Sequence, residues 1–347
     1  MSNRANTIEI NGIAVAAGQR VTVDLPVGQL YTHAPMNMPV HIVNGKQSGP
    51  ILFVSAAIHG DEIIGVEIIR RLLKLPSLKR LRGSLIAVPI VNIHGFISHS
   101  RYLPDRRDLN RSFPGSERGS LAGRLAHLFM EEIVSQSSHG IDLHTGALHR
   151  SNLPQIRANL DDPKTERLAR AFGVPVLLNS QLRDGSLREA AAEAGIPMLL
   201  YEAGEALRFD ELAIRAGVSG IVAVMRHLEM LAPSKRRKTS LPDPMIARAS
   251  SWIRAPQSGI LRASVGLGTH VHKGDMLGVI SDPFGENEEP VTAPFTGITI
   301  GRLNLPLVNE GDALFHVARF DRPRSAASSV EEFQIAHNEL GGEPPLI

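Results

Sequence analysis

From residue 51 to residue 231 the sequence alternates short, almost wholly apolar runs with longer stretches whose apolar residues recur every three or four positions. ILFVSAAI (51–58), SLIAVPIV (84–91), GIDLHT (140–145), VPVLLN (174–179) and PMLLYEA (197–203) have the length and composition of buried strands. Helices are expected between and after them at 61–74, 120–135, 163–172, 186–194 and 210–231; in the first, Ile64, Ile68, Leu72 and Leu75 share one face. Strands buried on both faces need helices above and below, so the pattern predicts an α/β fold with a mixed sheet flanked by helices. Upstream, residues 1–47 read as short strands. MPVHIV, NGKQSG and ILFVSAAI suggest a hairpin closed through Asn44-Gly45.

The text changes at APSKRRKTSLPDP (232–244), whose prolines and charges suit a linker. Its cluster KRRK (235–238) reads as a solvated face of that linker rather than a nucleic-acid patch. Beyond it, PQSGILRASVGLGTHVHKGDMLGVI and VTAPFTGITIGRLNLPLVNEGDALFHV repeat one outline: Pro, Gly-Ile, Val, a Gly-Asp turn and a final apolar strand. Two such halves predict a small all-β barrel-sandwich domain. The division expected is an N-terminal β segment (1–47) joined to a catalytic α/β domain (48–232), a linker (233–250), the β-domain (251–320) and a loosely held tail (321–347). The β-domain resembles lipoyl carriers, but the hairpin SDPFGENEEPVTAP, where a carrier lysine would stand, has none, and the nearby Lys273 lies in an earlier turn. A structural or gating role fits it better.

Composition narrows the chemistry. There are no cysteines, which removes disulfides, thiolate nucleophiles and cysteine-bound zinc. Any transition metal must be held by histidine and carboxylate, a donor set typical of catalytic zinc. No G-x-S-x-G elbow announces a serine hydrolase. The formal net charge of +2 does not point to nucleic acid. With no signal-like start and no apolar run near the ~20 residues of a membrane span, the expectation is a cytoplasmic protein without membrane or nucleic-acid partners.

The first apolar strand runs into HGDEIIG (59–65). At a strand-to-helix turn, His59 and Glu62 can lie on one side and converge on an ion, although H-x-x-E also suits an ordinary acidic helix start. His144 ends another strand in IDLHTG, where Asp142, two residues back on the same face, could fix its tautomer. Two histidines and a glutamate form a known catalytic zinc set, as in carboxypeptidase A. The long polar loop SRYLPDRRDLNRSFPGSERGS (100–120) offers Arg101, Asn110 and Arg111 to clamp a carboxylate, while Asp105 and Asp108 could simply pair with its arginines. A base is still needed. Glu202 in MLLYEAGE sits near the end of an interior strand, where an ionisable group is costly unless used or paired, and Glu205 is its rival.

HGDE, DLNRSFPG, DLHTG and YEAG, in this order, resemble the succinylglutamate desuccinylase/aspartoacylase family, which is related to the zinc carboxypeptidases; the motifs span residues of about 50 to 205. The resemblance implies a zinc carboxypeptidase-like fold with one zinc ion per subunit on His59, Glu62 and His144. It implies Glu202 as general base and acid, and Arg101, Asn110 and Arg111 as the group that holds the substrate carboxylate and polarises the scissile carbonyl. Arg188 in GSLREAA is the loose match to a further arginine of the family. Relatives often place a late tyrosine over the substrate, yet none follows Tyr201 here. The expected activity is removal of the acyl group from a small N-acyl amino acid; the rivals are a carboxypeptidase acting on peptides and an inactive ligand-binding relative. Which acyl group and amino acid are used is open, as is assembly into a homo-oligomer.

Overall fold

The computed structural model describes residues 7–233, 244–247 and 249–339. Strand Gln47–Ala56 lies in the middle of a mixed sheet, with Arg82–Val88 parallel to it on one side and His139–Gly146 parallel on the other; Met198–Glu205 runs parallel beside His139–Gly146. These are the runs whose apolar residues leave no face for water, and both of their faces are covered. On one side, helices Ile64–Leu73, Pro163–Phe172 and Glu211–His227 bury Ile64, Ile68, Leu72, Leu168, Phe172, Ile221 and Val224 against it. On the other, helices Leu121–Phe129 and Leu187–Glu193 contribute Leu125, Phe129, Leu187 and Ala190. Each fully buried aliphatic side chain stabilises the fold by about 1.5–3 kcal/mol. The α/β fold with flanking helices is therefore as read from the sequence. No helix among the described residues is long and apolar enough to cross a membrane.

Three expectations are corrected. The strand before Asn44-Gly45 does not pair with the strand after it. Arg82–Val88 inserts between them, antiparallel to Pro35–Asn44, and Gly45 donates its N–H to the Gly83 carbonyl at 2.9 Å. The long hairpin joins Arg20–Gln29 to Pro35–Asn44 instead. Second, the expected linker is not wholly unstructured: Met245–Ala247 pairs parallel with Val176–Asn179, whereas KRRK lies outside the described residues. Third, the expected tail contains helix Pro323–Glu339. Ala326, Val330, Phe333 and His337 recur at helical spacing and are buried, so a narrow stripe docks a helix that otherwise looks polar.

The C-terminal β unit forms two layers around Leu261, Leu277, Ile280, Leu314 and Phe315. Its halves pair reciprocally: Gly259–Ala263 with Leu307–Val308, and His270–Val271 with Gly297–Leu303. The unit is not separate from the main sheet. Gly297–Leu303 adds antiparallel to the first residues of strand Arg150–Ala158, whose later residues pair with Val176–Asn179. One sheet thus crosses the expected domain boundary.

Candidate active site

His59 lies just past strand Gln47–Ala56, in a turn closed by the Glu62 N–H donating to the His59 carbonyl at 3.1 Å. That turn is why the H-x-x-E spacing gathers both side chains on one side. Gly65 then lets the helix close on the sheet, since a Cβ there would stand 2.6 Å from Ala56 Cβ and 2.8 Å from Leu143 Cβ. His144 arrives from strand His139–Gly146. His59 Nδ1 is 2.7 Å from Glu62 Oε1, and His144 Nδ1 is 2.7 Å from Glu62 Oε2. One donor atom from each residue falls within 4.8 Å of the others, and all three residues are buried.

The outer ring nitrogens test whether this set suits a cation. His59 Nε2 lies 3.2 Å from Asp108 Oδ1, and His144 Nε2 lies 2.6 Å from Asp142 Oδ2. Each ring thus has a carboxylate at both nitrogens; with its hydrogen on Nε2, held outward by Asp108 or Asp142, a ring would turn its Nδ1 lone pair toward Glu62. Asp142 is held in turn by the Ser55 hydroxyl at 2.8 Å. Three acceptors facing one another need positive charge among them, either extra protons on the rings or a divalent cation. Burial alone would raise the Glu62 pKa, but the facing imidazoles hold its carboxyl well below the usual range. Burial likewise opposes charge on the rings, yet Glu62 with Asp108 raises His59, and Asp142 with Glu62 raises His144. The donor set fits a small divalent cation such as zinc.

The arginine loop folds over this centre. Arg101 Nη2 donates to Asp108 Oδ2 at 2.8 Å, while its Nη1 lies 3.2 Å from His59 Nδ1 and 3.5 Å from Glu62 Oε1. Asp108 thus bridges a histidine and an arginine. Asn110 is buried and accepts from the Leu187 N–H at 3.0 Å, and Arg111, exposed beside it, donates to the Asn110 carbonyl. Arg188 donates to the Ser180 carbonyl at 3.3 Å and the Gln181 carbonyl at 3.2 Å. Burial, then Arg157 and Arg183, pushes its pKa down to about 10. Arg101, Asn110, Arg111, Arg188 and Glu202 all line one cavity of 440 Å³ with His59, Glu62 and His144. Asp142 stands behind His144. Glu205 does not line it; its carboxylate accepts from the His149 N–H and from Asn304 Nδ2.

Residues 48–228, just over half of the chain, match the model of the succinylglutamate desuccinylase/aspartoacylase catalytic domain. The chain belongs to this family. A curated relative, the N-alpha-acetyl-L-2,4-diaminobutyric acid deacetylase of Halomonas elongata, is 27% identical over 297 residues, covering 81% of this chain and 85% of its own. Among solved structures, the succinylglutamate desuccinylase/aspartoacylase from Rhodobacter sphaeroides superposes with a TM-score of 0.78 at 23% identity, covering 92% of this chain and all of the other. The product-bound ectoine utilization protein from Ruegeria pomeroyi gives 0.77 at 22%, covering 92% and 99%. At such identities the superpositions speak for the fold alone.

This desuccinylase/aspartoacylase-family site also holds residues that the sequence did not announce. Strand Arg150–Ala158 was not foreseen, because Asn152, Pro154, Gln155 and Arg157 break up its apolar character. It flanks Met198–Glu205, and a bulge sets the four residues from Asn152 to Gln155 against the three from Glu202 to Gly204. The extra residue brings Asn152 to the Glu202 face, where its Nδ2 donates to Glu202 Oε1 at 2.6 Å. Arg157 Nε stands 3.0 Å from Glu202 Oε2, close enough for the charges to pair although the N–H is not aimed at the oxygen. Trp252, from strand Ala249–Arg254 of the C-terminal unit, and Arg150 line the same cavity. The pattern R-x-N-x-x-x-x-R was the available signal, and only knowledge of the bulge would have given it meaning.

Proposed function

We propose that this family member is a zinc-dependent amidohydrolase that removes the acyl group from an N-acyl amino acid or similar small carboxylate, releasing a carboxylic acid and a free amine. The observation that carries the reading is the convergence of His59, Glu62 and His144 in the same cavity as Glu202 and the Arg101, Asn110 and Arg111 group. Zinc, when bound, supplies polarisation of the amide oxygen and a lower pKa for the attacking water. The rest falls to the chain. Asp108 and Asp142 fix the two imidazoles so that both Nδ1 atoms face inward. Glu202 takes a proton from the attacking water and returns it to the leaving nitrogen, with Asn152 and Arg157 fixing the plane of its carboxylate. Arg101, Asn110 and Arg111 hold the substrate carboxylate and orient the scissile carbonyl, and Arg188 supports the cavity wall beside them.

The cavity volume is that of a small-molecule site, which favours an acyl amino acid over a longer peptide. The deacetylase activity of the Halomonas elongata relative supports the same bond type. The deciding experiment is turnover of a panel of N-acyl amino acids and short peptides, with and without a chelator, alongside metal analysis of the purified protein. Chelator-sensitive release of free amine from acyl amino acids is expected. Turnover that survives complete metal removal would end the reading, and cleavage of peptides alone would replace it with the carboxypeptidase.

A further inference from the structure

The turn Ala147–Arg150 is closed by the Arg150 N–H donating to the Ala147 carbonyl at 3.0 Å. It joins the two strands that flank Met198–Glu205, so it passes over the end of that strand, where Glu205 stands. There His149 takes a left-handed backbone, φ 62°, which a residue with a Cβ adopts only at a cost. Both of its peptide groups are held. Glu205 Oε1 accepts its N–H at 3.1 Å, and its carbonyl accepts the Asn304 N–H at 2.6 Å. Asn304 directly follows strand Gly297–Leu303, so the second grip comes from the C-terminal unit. Its side chain closes the figure: Nδ2 donates to Glu205 Oε2 at 2.7 Å and to Ser151 Oγ at 2.6 Å, and that hydroxyl stands 3.4 Å from Glu205 Oε2. Glu205 is thus a half-buried carboxylate that ends the strand bearing Glu202, yet it does not line the cavity, and its partners among the described residues are all neutral donors.

The turn matters for what it joins. Thr145, Gly146, Ala147 and Arg150 line the cavity, with His144 just before them and Asn152 just after. His144 is fixed independently, by Asp142 and by paired strands on both sides of its own. Asn152 sits at the bulge, two residues past the turn, and donates to Glu202 Oε1. A turn that shifts therefore moves the holder of Glu202 first.

We propose that Glu205 and Asn304 are positioning residues, a clasp between the main sheet and the C-terminal unit that fixes the turn and, through Asn152, the placement of the Glu202 carboxylate. A carboxylate suits the task because it accepts several N–H and O–H groups at once, whereas an amide at 205 would offer one oxygen and turn an N–H toward Asn304 Nδ2. The inference rests on the hydrolase reading and deepens it, since the general base depends on a contact made by a different unit of the chain.

The test compares Glu205→Gln, Asn304→Asp and the double variant. Each single change sets like groups against each other; the double change restores an amide–carboxylate pair with its direction reversed. On an N-acyl amino acid that the protein turns over, each single variant should lower kcat about tenfold, with KM within about twofold and metal content unchanged, and the double variant should recover most of the loss. In an Asn152→Ala background, Glu205→Gln should cost less than about twofold, because its route to Glu202 is already cut. A merely structural clasp would lower the melting temperature and leave kcat alone. Unchanged kcat in both single variants, or a tenfold loss repeated in the Asn152→Ala background, overturns the proposal.

Trp252, the only tryptophan of the chain, gives a second readout that needs no substrate. The Arg150 guanidinium, carried by the turn, lies over its ring, 5.4 Å from the centroid, and His316 stacks on it at 4.7 Å and 10°. Acrylamide quenching of its emission should rise about twofold in each single variant and return toward wild type in the double variant. Should no acyl amino acid be turned over, the hydrolase reading has failed and quenching decides this one: a rise that the double variant reverses upholds the clasp, and unchanged quenching in both single variants overturns it. Should Glu205→Gln fail to fold, Asn304→Ala, at an exposed side chain, is read by the same two measurements with the same criteria.

Discussion

Two strands flank Met198–Glu205, and they could hardly differ more in text. His139–Gly146 is a buried run that ends in Asp142 and His144; Arg150–Ala158 carries arginine, asparagine, proline and glutamine through its length. The first brings a metal-type donor to the cavity, the second brings the groups that hold Glu202. Parallel interior strands have a fixed register and an apolar interior, so a polar residue at their ends stands out as a functional one. A strand with a bulge that forks between two partners has neither signal. Yet it lines the same cavity with Arg150, Asn152 and Arg157.

Substitutions on the two strands should therefore fail in different ways. The largest effect belongs to the His144 side. Glu62→Gln, which removes the charge shared by both imidazoles, should take metal content from about one per chain to near zero and abolish turnover, as read by elemental analysis. A variant that kept its metal would break the assigned donor set. Next comes Glu202→Gln, which should retain metal and fold yet lose about 10²–10⁴ in kcat. Near-normal activity in that variant would leave the proposed base without a role. Asn152→Ala removes one hydrogen bond to a carboxylate, worth about 1.5–3 kcal/mol, so kcat should drop roughly 10- to 100-fold with metal unchanged. If KM alone moved, Asn152 would belong to substrate binding instead.

A last effect lies in stability rather than turnover, behind the polar strand. The His316 pKa is depressed by burial and Arg157 to about 3, against about 6.5 in the unfolded chain. Between those values the unfolded state binds a proton that the folded state does not. The stabilisation from neutral His316 is thus complete above about pH 6.5 and is lost by up to ~1.4 kcal/mol per pH unit as pH falls toward 3. His316→Phe keeps a flat ring under Trp252 and removes a buried ring nitrogen with no hydrogen-bond partner among the described residues. Its urea denaturation should lose less stability between pH 7 and 4 than wild type, and parallel profiles would show that His316 is not the group responsible.

The same contrast explains what the text alone could tell. His59, Glu62, His144 and Glu202 were legible because each ends, or closely follows, an apolar run, and the fold brings all four to one cavity. Arg101, Asn110 and Arg111 were legible as a long polar loop, and Asp108 as a partner of its arginines; that Asp108 would also reach His59 was not. Asn152 and Arg157 were hidden by the bulge. Trp252 was hidden because it comes from a unit that the sequence sets apart behind a linker, whereas the sheet passes through that boundary unbroken. The hairpin at Asn44-Gly45 failed for a related reason: local turn chemistry cannot report a strand that arrives later and wedges between two neighbours.

The forked strand has a bearing on how such a chain is made. Its residues 150–152 pair on one side with residues 301–303, which are synthesised well after the parallel strands, while Asn152 pairs on the other side with Gly204. On the ribosome, the earlier parallel strands can collapse around the two histidines and Glu62 while Gly301, the neighbour of Asn152 on its other side, is still to come. The His59, Glu62 and His144 cluster can therefore form before the strand that flanks Glu202 has gained its neighbour from the C-terminal unit, and that wall of the cavity closes last.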